Sequence, residues 1–250
     1  MMVEKGYEED LKTNYFQLDG KGRMSPAALL ATLQDAAIAH SDGLGYTPAY
    51  LMEQERGWAV VNWHIRVHRM PAHPEAYHLE TWSCRCRRMQ AERGFFLYDS
   101  RGERMMEVMS RWVYMDTARR RPANVPESMI EAYGDKQMPA IENEKFLMPR
   151  EPEEGTPIQS FVRVTRRDTD TNGHANNVKY LEWVMDDVPD EIYDSMETKD
   201  IRMVYRKECR RGDLVELRTY VIDGPEGKET WTFLLDEEGK TIAEAAILWN

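Results

Sequence analysis

The chain is short of cysteine, of long apolar runs and of positive charge, and each shortage closes off a class of protein. Three cysteines, Cys84, Cys86 and Cys209, among 250 residues cannot build a disulfide framework. No second Cys/His pair stands at ligand spacing from Cys84-Arg85-Cys86, whose surroundings alternate as a strand, so no metal and no cofactor is expected. No apolar run approaches the ~18 residues of a membrane helix, the mean hydropathy is −0.68, and no membrane span is expected. The opening MMVEKGYEEDLKTNYF has no apolar stretch behind a basic one, which makes a cytoplasmic location the expectation. Lys and Arg number 33 against 44 Asp and Glu, a net charge of −11. That balance speaks against a nucleic-acid partner, because neutralising phosphates takes a basic surface. What the chain does have is apolar mass, 42% hydrophobic and 10% aromatic residues, which excludes disorder. The length suits one large domain or two modest ones.

Ser25-Pro26 reads as a helix start, with serine capping and proline at the first helical position. Leu29, Leu33, Ala36, Ala37 and Leu44 follow at helical spacing, ending near Gly43 or Gly45. A short helix over residues 48–55 leads into a strand in which Val61, Trp63, Ile65 and Val67 alternate with Asn62, His64, Arg66 and His68. Strands are then expected over 77–86, 93–99 and 104–115. From Pro122 to Pro157 the pattern fades into a linker rich in proline and glutamate. The same grammar then repeats. A short strand through Phe161, Arg163 and Thr165 precedes a helix carrying Val178, Leu181, Val184, Met185 and Val188, stopped by Pro189. Strands follow over 200–208, 214–222, 229–235 and 241–249, with hairpin signals at Arg211-Gly212-Asp213, at Gly224 to Gly227 and at Asp236 to Gly239. Each half is thus an α+β unit in which a four-strand antiparallel meander wraps one long helix. The boundaries expected are 1–135, a linker over 136–157, and 158–250.

The densest polar cluster, Asp168 to Asn177, lies between the short strand and the second helix. Asp168, Asp170, Asn172 and Gly173 imitate the first half of a calcium loop, but its twelfth position, which needs a glutamate, is Lys179. A helix start offers a better reading. Asn176 and Asn177 are good caps, and the backbone N–H groups there can polarise a carbonyl oxygen. Asn172 and His174 would point the same way, and Asp170 could fix the imidazole tautomer. A plain polar turn is the bland alternative.

The run DTDTNGHANNVKYLEW resembles the D-x-D-x-N-x-H-x-N-N-x-K-Y motif of the acyl-[acyl-carrier-protein] thioesterases of plants and bacteria, and VYRKEC (Val204 to Cys209) resembles their Y-R-x-E-C motif. Trp63-His64-Ile65 and Ser110-Arg111-Trp112-Val113, followed by Arg119-Arg120, resemble the family's N-terminal part. The resemblance implies a tandem hot-dog fold that hydrolyses fatty acyl-acyl carrier protein to free fatty acid and holo carrier, ending fatty acid synthesis. It places the catalytic network on Asp170, Asn172, His174 and Glu208, with Cys209 beside it. A thioester needs an activated nucleophile and a stabilised oxyanion, and no metal. The roles expected are Glu208 activating water, Asn172 and His174 positioning it, Asp170 orienting His174, and N–H groups at Asn176 and Asn177 holding the oxyanion. A competing mechanism makes Asp170 the nucleophile. Cys209 is expected as a small buried filler rather than a nucleophile.

The resemblance also places the acyl tunnel in the first half. There the alanines Ala27, Ala28, Ala31, Ala36, Ala37 and Ala39 leave room, and Trp58, Trp63, Trp82, Met105, Met106 and Met109 could line it, unless they are ordinary core. Because both this chain and the carrier are acidic, docking calls for a local basic patch. Arginines cluster at Arg85, Arg87, Arg88 and Arg93, at Arg119 to Arg121, and at Arg206, Arg210 and Arg211, with Arg210 and Arg211 preferred for their nearness to Glu208. A hot-dog acyl-CoA thioesterase, a non-catalytic acyl-carrier binder and a calcium module are the alternatives. Either a monomer or a homodimer is feasible, since two halves can pair within one chain.

Overall fold

The computed structural model describes residues 6–134, 139–141 and 146–250. The chain divides into two compact units, Met1–Glu144 and Lys145–Asn250. Part of the linker expected over 136–157 lies outside the described residues.

The first unit begins with β1 (Gly6–Lys12) and α1 (Pro26–Gly43). As the sequence predicts, Ser25 Oγ accepts the Ala28 N–H at 3.2 Å, and Pro26 opens the helix without wasting a donor. Leu29, Leu30 and Leu33 are fully buried. Each stabilises by about 2 kcal/mol, and Leu33→Ala would cost about 3 kcal/mol. After α2 (Pro48–Glu53) come β2 (Arg56–Val67), β3 (Ala76–Arg87), β4 (Gln90–Asp99), β5 (Arg104–Asp116), the two-residue β6 (Arg121–Pro122) and α3 (Glu127–Tyr133). α3 was not expected. It falls in the stretch read as linker, and it is held by burying Met129 and Tyr133 against Leu51, Cys86, Tyr114 and Val125.

The second unit consists of β7 (Ile158–Arg163), α4 (Asn177–Asp186), α5 (Asp190–Ser195), β8 (Thr198–Tyr205), β9 (Leu214–Gly224), β10 (Gly227–Leu235) and β11 (Thr241–Trp249). Pro189 does stop α4, but it also stands as the N-cap of the unexpected α5, whose first turn carries Asp190 and Glu191 at the favourable end of the dipole.

Within each unit the strands pair antiparallel, and strand order is where expectation and structure part. The first unit runs β1-β3-β4-β5-β2, with β6 on β5, and the second β7-β9-β10-β11-β8. In each, the second strand pairs with the fifth rather than the third, so only the last three strands form a meander. The connections 68–75 and 206–213 therefore cross the sheet end. The turn at Arg211-Gly212-Asp213 exists, with Asp213 N–H donating to Arg210 O at 3.0 Å and Gly212 at φ +98°, yet it joins strands that are not neighbours. The expected alternation along β2 also fails. Asn62 and His64 are buried like Trp63 and Ile65, because the strand is covered on both faces and bulges between Val60 and Asn62. Among the described residues no helix is long and apolar enough to cross a membrane.

Candidate active site

The polar cluster is a built turn. Asp170 Oδ1 accepts the backbone N–H of Asn172 at 2.8 Å and of His174 at 3.2 Å, while Asp170 N–H donates to His174 O at 2.8 Å. Gly173 closes the turn at φ +77°, where a side chain would be strained. Just upstream, the buried Asp168 accepts the Thr165 N–H at 2.7 Å. The turn then feeds α4. Asn176 caps it by accepting the Val178 N–H at 3.0 Å, and Asn176 N–H is bound to Asp168 O at 2.8 Å. With Lys179 N–H on Asn176 O at 2.8 Å, the helix start keeps one N–H, that of Asn177, with no acceptor among the described residues. The oxyanion expectation thus narrows from two asparagines to Asn177.

The loop after β8 supplies the rest. Glu208 was expected on a strand, but β8 ends at Tyr205, and Arg206 and Lys207 both turn their N–H groups to Ile242 O of β11, at 2.8 and 3.1 Å. Ala175 N–H donates to Cys209 O at 2.8 Å, and a bridge joins His174 to Arg210, which stitches the loop to the turn. In consequence Glu208 Oε1 lies 3.3 Å from His174 Nε2, and Arg210 Nη2 lies 3.3 Å from the same nitrogen and 3.7 Å from that carboxylate. The imidazole is therefore served by Glu208 and Arg210. Asp170 acts on its backbone instead, correcting the expectation that it orients the ring. Nε2 has both a donor and an acceptor at hand: neutral, it accepts from the guanidinium; protonated, it donates to the carboxylate. Asn172 is exposed, at the tip of the turn.

Cys209 is buried, as the sequence suggests, and a residue the sequence reading passed over holds it. Cys209 is 3% exposed, with Sγ 3.0 Å from the Tyr180 hydroxyl, which also accepts the Cys209 N–H at 3.1 Å. Burial pushes the thiol up to about 11, so it holds the loop down and stays protonated near neutral pH. Tyr180, which fixes the loop to α4, was missed; in sequence it is one more apolar-face residue. The arginine clusters also change meaning. Arg93 is buried, Arg206 is engaged bidentately by Glu244 at 2.7 and 3.0 Å, and Arg210 belongs to the site itself.

The turn has a twin in the first unit. Asp19 Oδ1 accepts the N–H groups of Lys21 and Arg23 at 2.9 and 3.0 Å, Asp19 N–H donates to Arg23 O at 2.7 Å, and Gly22 stands at φ +73°. Met24 N–H donates to Pro71 O at 2.8 Å, and a bridge joins Arg23 to Ala72. Position for position, Asn172, His174, Glu208 and Arg210 correspond to Lys21, Arg23, Met70 and Ala72. The scaffold is duplicated and the chemistry is not.

Of the tunnel candidates, Trp63, Met105 and Met106 are fully packed core. Trp82 and Met109 gather with Cys84, Phe96 and Ala140, a cluster on the face of β3 opposite to Thr81. A cavity of about 370 Å³ is lined by Gly6, Tyr7, Ala39, His40, Gly43, Leu44 and Ala132, so Ala39 alone of the predicted residues faces it.

A curved antiparallel sheet around a central helix, built twice in one chain, with a His–Glu pair at the second helix start, defines a double hot-dog protein. Family models described as the acyl-ACP thioesterase N-terminal domain and C-terminal domain match residues 4–133 and 152–250. The chain belongs to the acyl-ACP thioesterase family. It is 28% identical over 235 residues to a chloroplastic acyl-[acyl-carrier-protein] hydrolase of Cuphea viscosissima, covering 89% of this chain and 57% of that relative, so it spans little more than half of the relative's length. Among solved structures, the 12:0-ACP thioesterase from Umbellularia californica superposes with a TM-score of 0.88 at 21% identity, covering 100% of this chain and 99% of the other. An acyl-ACP thioesterase from Bacteroides thetaiotaomicron gives 0.84 at 22% identity, with 98% of each chain covered. At these identities the two structures speak for the fold.

Proposed function

We propose that the chain hydrolyses the thioester between a fatty acyl group and acyl carrier protein, using water and no metal or cofactor. The observation that carries this reading is the contact between His174 Nε2 and Glu208 Oε1. It pairs a general base with a proton carrier beside an open helix-start N–H. Glu208 takes a proton from water as the water oxygen attacks the thioester carbonyl. The developing oxyanion is met by the Asn177 N–H and by the Arg210 guanidinium, which contributes without a proton changing hands. When the C–S bond breaks, the proton held on the His174–Glu208 pair goes to the departing thiolate. Asn172, exposed at the turn tip, positions water. Asp170 serves as the turn builder, because its Oδ1 accepts two backbone N–H groups. For the acidic carrier, Arg166, Arg167 and Arg211, exposed and close in sequence to the turn and to Glu208, offer basic groups.

The test is fatty acid release from acyl-carrier-protein substrates of several chain lengths and the matching acyl-CoA thioesters, with Glu208→Gln beside the wild type. Rapid release from the carrier substrates, falling ~10²–10⁴-fold in Glu208→Gln, is the expected result. Turnover confined to acyl-CoA would move the substrate class, and a folded protein that binds acyl carrier without turnover would make it a binder.

A further inference from the structure

The core of the first unit contains a charge that its fold does not require. Arg93, on β4, is 7% exposed, and it lies on the α1 side of the sheet. Its Nη1 is 3.0 Å from His40 Nδ1 of α1 and 3.1 Å from Thr81 Oγ1, and its guanidinium stands 5.8 Å from the centre of the Tyr133 ring. Every one of these partners is neutral. Burial and the neighbouring Arg93 charge push His40 down to about 3, and burial raises the Tyr133 phenol. No carboxylate pairs with Arg93 among the described residues. A buried cation among neutral neighbours is costly, since neutral dipoles replace only part of its lost hydration.

The second unit shows what the fold needs at the same place. Asp99 and Asp236 close equivalent turns, each accepting two backbone N–H groups on Oδ1. Counting back along the paired strands, the cross-strand row Ser83–Arg93–Ser110 of the first unit corresponds to Val221–Thr230–Ile247 of the second. There the central position is a fully buried threonine accepting the Trp249 indole N–H at 2.9 Å. One unit stabilises this row without charge; the other retains an arginine flanked by two buried serines.

We propose that the interior of the first unit binds a carboxylate borne on an aliphatic chain, with Arg93 as its counter-ion and His40, which also lines the 370 Å³ cavity, beside it. The planar guanidinium matches a carboxylate fork, and one cation balances one negative charge, which a phosphate would exceed. Ala39, Leu44 and Ala132, which line the same cavity as His40, supply an apolar surround for the chain. The source of that carboxylate rests on the function proposed above: the far end of an acyl chain that carries a second carboxyl group, or the free fatty acid product.

Calorimetry on the full chain with dodecanoate and 1-dodecanol tests the site directly. Dodecanoate should bind at least tenfold more tightly, Arg93→Met should abolish that preference, and Arg93→Lys, which keeps the charge, should retain part of it. Equal affinity for acid and alcohol in the wild type, or an undiminished preference in Arg93→Met, would overturn the proposal. Pantetheine thioesters of dodecanoic and dodecanedioic acid then separate the two sources. A preference for the diacid thioester that Arg93→Met loses assigns the site to the substrate's far end, and competitive inhibition by dodecanoate without such a preference assigns it to product. Turnover of the dodecanoyl thioester itself reports on the thioesterase reading, so failure of either idea is seen separately.

Discussion

Set side by side, the Asp19 turn and the Asp170 turn share a backbone and differ in everything that reacts. Both hold two N–H groups on one carboxylate oxygen, both close on a left-handed glycine, and both feed a capped helix. Around the first stand Lys21, Arg23, Met70 and Ala72; around the second stand Asn172, His174, Glu208 and Arg210. The pair teaches which residues belong to the fold and which to the chemistry. An aspartate present in both turns is explained by the turn. His174, Glu208 and Arg210, whose places in the first turn are taken by Arg23, Met70 and Ala72, are not.

Substitutions can break this comparison or sharpen it. Asp19→Ala and Asp170→Ala should each cost about 2 kcal/mol by chemical denaturation, the worth of two N–H bonds to a charged acceptor. Only Asp170→Ala should also cut turnover, by tenfold or more, through misplacement of His174. Unequal stability losses would show that the two aspartates do different work.

The units should also part in acid. His40 has its folded pKa lowered to about 3 from 6.5. Below 6.5 the unfolded chain takes a proton that the folded one refuses, so the stability it confers is complete above that pH and is lost as pH falls toward 3. The loss at pH 4 is about 3 kcal/mol, and a His40→Asn variant should show a flatter dependence of Tm on pH between 6.5 and 4.

Arg210→Met should lower kcat several-fold on a carrier-free acyl-pantetheine thioester, where docking plays no part. Arg211→Met should leave that substrate unaffected and raise KM for the carrier substrate alone. Equal effects of both on both substrates would return Arg210 to a docking role. Cys209→Ala should do least, keeping kcat within about twofold and costing about 1 kcal/mol through lost packing with Tyr180. In the wild type, iodoacetamide should label Cys209 slowly at pH 8, as burial holds the thiol protonated.

Much of this was legible in the residues. Ser25-Pro26 announced α1 to the residue, Asn176 its counterpart, and β11 was read at its true ends. Glu208 and His174 were named together because two short motifs carried them. What escaped has physical causes. α3 and α5 each follow a proline that serves as N-cap, where the sequence reads a linker in the first case and only a helix stop in the second. The burial of Arg93 is invisible locally, since it sits among the charged residues of a strand end and is covered by His40 and Tyr133 from distant segments. Likewise the pairing of β2 with β5 is set by side chains far apart in sequence, and no hairpin signal encodes it.

The order in which strands join has a consequence for how the site comes into being during synthesis. Every residue of the reactive group has left the ribosome once Asp213 has, yet the loop from 206 to 213 is anchored to Ile242 and β8 is zipped to β11. Until Thr241–Trp249 emerges and docks, the loop that carries Glu208 lacks its anchor on Ile242 and rests on the contacts of Cys209 with Ala175 and Tyr180. The Glu208–His174 contact is thus conditional on β11, and a chain in which Thr241–Trp249 has not yet docked should hold that pair loosely.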